Sequence, residues 1–267
     1  MKTVTSKDGT TIAYDQAGDG PAVVLVDGAL CSRAQGPMPE LAKHLASQYT
    51  VYHYDRRGRG DSGDAEVYEP DREIEDLAAV IEAAGGSAYV YGISSGGALV
   101  LRAAAAGVPI SKLAVYEAPF VVDESRKQIP RTWAADLRAL SDAGRPGDTV
   151  KYFMTKGVGL PGFAVTMMKL MPAWKQLKAV AHTLPYDAEL MGENSFGKPL
   201  DGSQWAGLEL PVLIAGGGKS PGWMRSSVKA VAEAVPSAVH REIPGQNHMI
   251  KAAAIAPVLT EFFAGAR

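Results

Sequence analysis

Gly92-Ile93-Ser94-Ser95-Gly96 lies between two stretches of opposite local preference, and that setting decides how the chain is read. Before it, Ala88-Tyr89-Val90-Tyr91 is the short aromatic and β-branched run of a buried strand. After it, the alanine-rich stretch from Gly97 to Ala106 favours helix and stops at Gly107, ahead of Pro109. A Gly-x-Ser-x-Gly turn between strand and helix strains the serine backbone, and the glycines on either side keep Cβ atoms out of the crowded bend. Ser94 Oγ is then exposed at the strand tip, and the helix N-terminus directs free N–H groups at negative charge developing there. The bland alternative is a serine that only caps the helix behind it. As a nucleophile, Ser94 needs a base to take its proton and a third group to orient that base.

Outward from this turn, strands and helices alternate. Thr3-Val4-Thr5 and Thr11-Ile12-Ala13-Tyr14 flank Asp8-Gly9 as a hairpin, and Ala22-Val23-Val24-Leu25-Val26 reads as a buried strand. A helix near Glu40 to Ala46, a strand Thr50 to Tyr54 and a helix from about Asp71 to Ala84 lead to the turn. Leu113 to Tyr116 is the next strand, and alternation resumes only at Pro211 to Ala215. A helix near Met224 to Val235, a strand Val239 to Ile243 and a closing helix around Ile250 to Phe263 follow. Such alternation implies a parallel sheet in an α/β fold. The interruption, 121–206, is helical in pattern, broken by Pro and Gly, and reads as an inserted cap on a core formed by 1–120 and 207–267. Its large soft side chains include Trp133, Met154 and Met168. Most such residues pack a core, but these three, with Leu30, Phe120 and Met249, are the expected pocket lining.

Of five histidines, His248 is the expected base, because Pro244-Gly245-Gln246-Asn247-His248 lies between the last strand and the last helix. His53 and His240 fall inside strands, His44 on an early helix and His182 in the insertion, where structural roles are expected. An orienting acid belongs after the strand at 211–215 or after the one at 113–116. The first site reads Gly216-Gly217-Gly218-Lys219-Ser220 and holds no acid, whereas Glu117 follows the second strand directly. Glu117 is therefore the expected partner of His248, with Asp123 or a plain Ser–His dyad as alternatives. The oxyanion donors are expected to be the backbone N–H groups of Ser95 and Ala29.

Several features point away from other chemistry. The lone Cys31 allows no internal disulfide and reads as a small buried apolar residue. Gly58, Gly60 and Gly63 match a dinucleotide fingerprint but lead into no helix, and Gly218-Lys219-Ser220 lacks the earlier glycine of a phosphate loop. No metal-ligand spacing occurs, so neither metal nor cofactor is expected. Arg56, Arg57 and Arg59 read as a solvated turn or a rim contact. A formal charge of −2 gives no footprint for nucleic acid or an anionic membrane, and no apolar run approaches a membrane span. With no signal-like apolar core at its start, the chain is expected to be cytoplasmic, a monomer or homodimer acting on a small molecule.

The turn at Gly92 to Gly96, the run Asp55-Arg56-Arg57-Gly58-Arg59-Gly60-Asp61-Ser62, and the late Gly245-x-x-His248 together resemble the α/β-hydrolase superfamily. The likeness covers nearly the whole chain and is strongest to small, cofactor-free bacterial members. It implies an eight-stranded, mostly parallel sheet flanked by helices, with a helical cap inserted after strand six. It also implies the chain order Ser94, Glu117, His248. Two departures stand out: Asp27-Gly28 replaces the His-Gly of many members, and the usual acid after strand seven is missing. An acid after strand six has precedent in members similar to haloalkane dehalogenases, which use an aspartate nucleophile; Ser94 argues against that chemistry. The expected function is hydrolysis of a small or medium apolar ester, thioester or lactone through an acyl-enzyme. A lyase or cyclase using the same pocket, or a ligand-binding receptor on a hydrolase scaffold, are the alternatives.

Overall fold

A computed structural model describes residues 1–265. The hairpin forms first in the chain: β1 (Lys2–Thr5) and β2 (Thr11–Ala17) pair antiparallel around Gly9, whose φ of 90° only glycine adopts freely. The next strands are β3 (Ala22–Val26), β4 (Thr50–Tyr54), β5 (Ala88–Ile93), β6 (Ile110–Tyr116), β7 (Val212–Gly217) and β8 (Ala238–Ile243). They complete an eight-stranded sheet of order β1-β2-β4-β3-β5-β6-β7-β8, parallel from β4 onward.

Side-chain alternation sorts the sheet residues onto two faces, both buried, as a parallel sheet requires. Val24, Val26, Val90, Val115 and Ile214 face α2 (Pro70–Ala83), α3 (Ser95–Ala105) and α9 (Gly222–Ala234). Val23, Leu25, Tyr91, Ala114 and Leu213 face α1 (Met38–Leu45) and α10 (Ala252–Ala264). The chain runs from β3 outward to β4 and then returns to lay β5 on the other side of β3. That reversal opens a crevice at the strand C-termini, where open α/β sheets bind ligands. The expected turn at Ser94 stands at this reversal.

Between β6 and β7 the chain leaves the sheet through α4 (Trp133–Asp142), α5 (Pro146–Tyr152), α6 (Gly162–Met168), α7 (Ala173–Ala179) and α8 (Leu184–Met191). Residues Phe153–Val158 continue α5 as a π-helical segment. A third apolar cluster holds this excursion together, built on Trp133, Leu137, Val150, Val165 and Leu184. Leu30, from the loop after β3, joins it, so the excursion packs directly on the crevice. Among the described residues no helix is long and apolar enough to cross a membrane.

Candidate active site

The Ser94 turn is as tight as its glycines suggest. Ser94 has φ 57° and ψ −129°, and α3 begins at the next residue. A Cβ at Gly92 would stand 2.6 Å from Gly96 O, and one at Gly96 would stand 2.5 Å from both Val26 O and Asp27 O. The loop after β3 comes as close: a Cβ on Gly28 would lie 2.8 Å from Ser94 Cβ. The Ser94 side chain makes no capping hydrogen bond, so its hydroxyl is not committed to the helix. Among the described residues the N–H groups of Ser95 and Ala29 make no backbone hydrogen bond. Both stand where the turn and the loop meet.

At the end of β6, Ser94 N–H donates to Tyr116 O at 3.0 Å, and Glu117 follows in a left-handed conformation, φ 48°. Its carboxylate is fully buried. Oε1 accepts hydrogen bonds from Gly217 N–H at 2.7 Å and from the Ser220 hydroxyl, while Oε2 stands 2.9 Å from His248 Nδ1. The His248 loop is pinned beside it, since the Tyr116 hydroxyl donates to Asn247 O at 2.7 Å and Lys219 N–H to Gln246 O at 2.8 Å. The glycine run that carries no acid thus serves this geometry. A Cβ on Gly217 would meet Gln246 O at 2.5 Å, so only glycine lets β7 approach the histidine loop this closely. The histidine side chain keeps 36% of its exposure, and no hydrogen bond joins it to Ser94 Oγ among the described residues. Contacts of that kind often tighten only around substrate.

On the other side of Ser94 the arginines depart from expectation. Arg56, Arg57 and Arg59 are 1%, 1% and 2% exposed, not a solvated turn. Each found a carboxylate remote in sequence. Arg56 forks onto Glu73 (2.6 and 2.7 Å), Arg57 onto Asp76 (2.8 and 2.7 Å), and Arg59 reaches Asp187 on α8 at 2.8 Å. Asp187 also accepts from Arg56 Nη1 at 2.8 Å and from the Ser95 hydroxyl at 2.7 Å. Burial acts to raise the Asp187 pKa, but Arg59, Arg56 and the Ser95 bond outweigh it and hold the carboxyl below its ordinary value.

Asp27 is also buried, with Oδ2 2.8 Å from His53 Nε2 and Oδ1 unpartnered. Burial pushes its pKa up against the pull of His53 and the arginines. Cys31 lies in the same loop, and burial, with the Asp27 charge, pushes its thiol up to about 12.

The six expected pocket residues divide. Leu30, Trp133, Met154 and Met168 come together in the third cluster at the crevice. Phe120 instead stacks on Trp205 in the core beneath α3, and Met249 is 82% exposed beside His248. Phe163, Met167 and Leu170 also point outward. Among the described residues no group of three His, Cys, Asp or Glu side chains is arranged to hold a metal ion. Sequence reading missed Ser220 and Tyr116 as supports for the acid and the histidine loop. Ser220 does close the glycine run that lacks an acid, and that was its one visible signal. Asp187 gave none.

A family model described as the alpha/beta hydrolase family matches residues 23–257. Among solved structures, an alpha/beta hydrolase from Sphaerobacter thermophilus is similar at 49% identity and a TM-score of 0.91, covering 98% of this chain and 100% of that one. An enol-lactonase from Burkholderia xenovorans is similar at 18% identity and TM-score 0.70, over 99% of this chain and 100% of the other. An esterase from a Rhodococcus species is similar at 21% and 0.68, over 99% and 98%. No curated protein matches.

Proposed function

The chain belongs to the alpha/beta hydrolase family, and from that premise we propose that it is a serine hydrolase cleaving a small or medium apolar ester, thioester or lactone. Ser94 Oγ attacks the substrate carbonyl while His248 Nε2 takes its proton. Glu117 accepts the Nδ1–H bond, fixes the tautomer that leaves Nε2 free, and stabilises the imidazolium. The N–H groups of Ser95 and Ala29 receive the oxyanion. Collapse of the tetrahedral intermediate expels the alcohol or thiol, protonated by His248, and leaves Ser94 acylated. Water, deprotonated by His248, then releases the acid and restores the hydroxyl.

One observation carries this reading: a fully buried carboxylate 2.9 Å from the Nδ1 of a half-open histidine, placed by the strand adjacent to the Ser94 turn. The excursion between β6 and β7 is the cap in this reading, and the cluster of Leu30, Trp133, Met154 and Met168 favours an apolar acyl or aromatic group beneath it. The test is labelling with a fluorophosphonate, followed by mapping of the adduct and a p-nitrophenyl ester series. Labelling at Ser94, with turnover lost in Ser94→Ala, is the expected result. Absence of both labelling and turnover in the wild-type protein overturns the reading.

A further inference from the structure

The buried charges on the far side of Ser94 connect two things that are distant in the chain: α8, at the end of the helical excursion, and the peptide groups that carry the two candidate oxyanion donors. Arg59 Nη1 donates to Gly28 O at 2.6 Å. That oxygen belongs to the same planar peptide unit as the N–H of Ala29, and in a trans unit the two point in opposite directions. Holding the oxygen therefore aims the N–H. A guanidinium on the oxygen also polarises the unit and strengthens the N–H as a donor. The second donor, Ser95 N–H, is anchored through its own side chain, whose hydroxyl donates to Asp187 Oδ1 at 2.7 Å. Asp187 and Arg59 close the circuit, with Nη2 2.8 Å from Oδ2 and 3.0 Å from Oδ1. Arg59 Nε is held by Thr183 Oγ1 at 3.1 Å, again from the excursion. Arg56 fastens the assembly to α2 through Glu73.

We infer that Asp187 and Arg59 form a clamp by which the helical excursion positions both oxyanion donors. This rests on the reading of Ser95 and Ala29 as those donors. Both side chains are positioning residues that touch no substrate. Stability alone is a poor explanation for the cluster: stripping four charged groups of water is costly, and packed apolar side chains often serve a core at least as well. A simple glue between helix and sheet would also have no need to end on Gly28 O and the Ser95 hydroxyl.

The test compares Asp187→Asn with Asp76→Asn, which breaks the equally buried Arg57 pair away from both donors. Each is measured with p-nitrophenyl acetate for kcat and KM, with a trifluoromethyl ketone that forms a tetrahedral serine adduct, and by thermal melting. Asp187→Asn is expected to lower kcat by about tenfold to a hundredfold, approaching the loss of one oxyanion donor. Its KM should stay within about threefold, while the ketone affinity falls in parallel with kcat. Asp76→Asn should melt lower yet keep kcat and ketone affinity within about twofold. Equal kcat losses in the two variants, or an effect of Asp187→Asn confined to KM or to melting, would overturn the clamp. Should Asp187→Asn not fold, Ser95→Ala removes only the hydroxyl link and should lower kcat about threefold to tenfold at constant KM; unchanged kcat overturns the proposal. A wild-type protein that neither labels nor turns over the ester overturns the hydrolase reading itself, whereas an active wild type with indifferent variants overturns only the clamp.

Discussion

Two charged assemblies flank Ser94, and they differ in how completely they are shut. On one side Glu117 is buried but its partner His248 keeps a third of its side-chain exposure, on a loop held by backbone contacts. On the other, Arg56, Arg59, Glu73 and Asp187 are all 2% exposed or less, with guanidinium and carboxylate charges balanced two against two. The open pair suits a group that must gain and lose a proton at each turnover and follow the substrate. The shut one suits groups whose value lies in not moving. In the proposed reaction, burial of charge therefore serves opposite ends on either side of one serine.

The largest break in that contrast comes from Ser94→Ala, which should cut kcat for p-nitrophenyl esters by about a thousandfold or more and leave the melting temperature unchanged or higher. Glu117→Gln should follow with about a hundredfold to ten-thousandfold loss of kcat, since the amide retains the shape but disturbs the tautomer of His248. Gly217→Ala acts on the loop instead of the chemistry. Its Cβ meets backbone atoms of Gln246 and Asn247 at 2.5 to 2.8 Å, so a destabilisation of about 1–3 kcal/mol in denaturant unfolding is expected, with a lower kcat. The smallest effect is none at all. With its pKa raised to about 12, Cys31 stays a neutral thiol throughout the working range, so iodoacetamide at pH 8 should leave the folded protein unmodified and label it only after unfolding.

The sheet and its helices were legible because the central strands β3 to β7 are compact apolar runs and the helices that flank them have an alanine-rich or amphipathic face. Local pattern is enough for that. Ser94, Glu117 and His248 were legible for a related reason: the first two follow directly on a strand and the third lies in the loop after the last strand, so their positions in the sheet could be counted. The arginines were not. Arg56, Arg57 and Arg59 look solvated because their carboxylates lie from 17 to 131 residues away, and no period or spacing links them. Phe120 and Met249 show the limit in another way. Both lie within three residues of an expected site residue in sequence, yet one turns into the core and the other into solvent.

Leu30, Ser94 and Glu117 are the non-glycine residues with left-handed backbone among those described, and all three converge on the crevice. Each such conformation costs on the order of 1–3 kcal/mol, and glycine would relieve it. At Ser94, where no capping hydrogen bond offsets that cost, the chain is most easily made more robust where it has most to lose. Selection of random variants for heat resistance alone should drift toward glycine at 94, whose side chain makes no capping hydrogen bond, and on the proposed reading such sturdier proteins no longer react; Glu117, bonded through its carboxylate to Gly217, Ser220 and His248, should be kept.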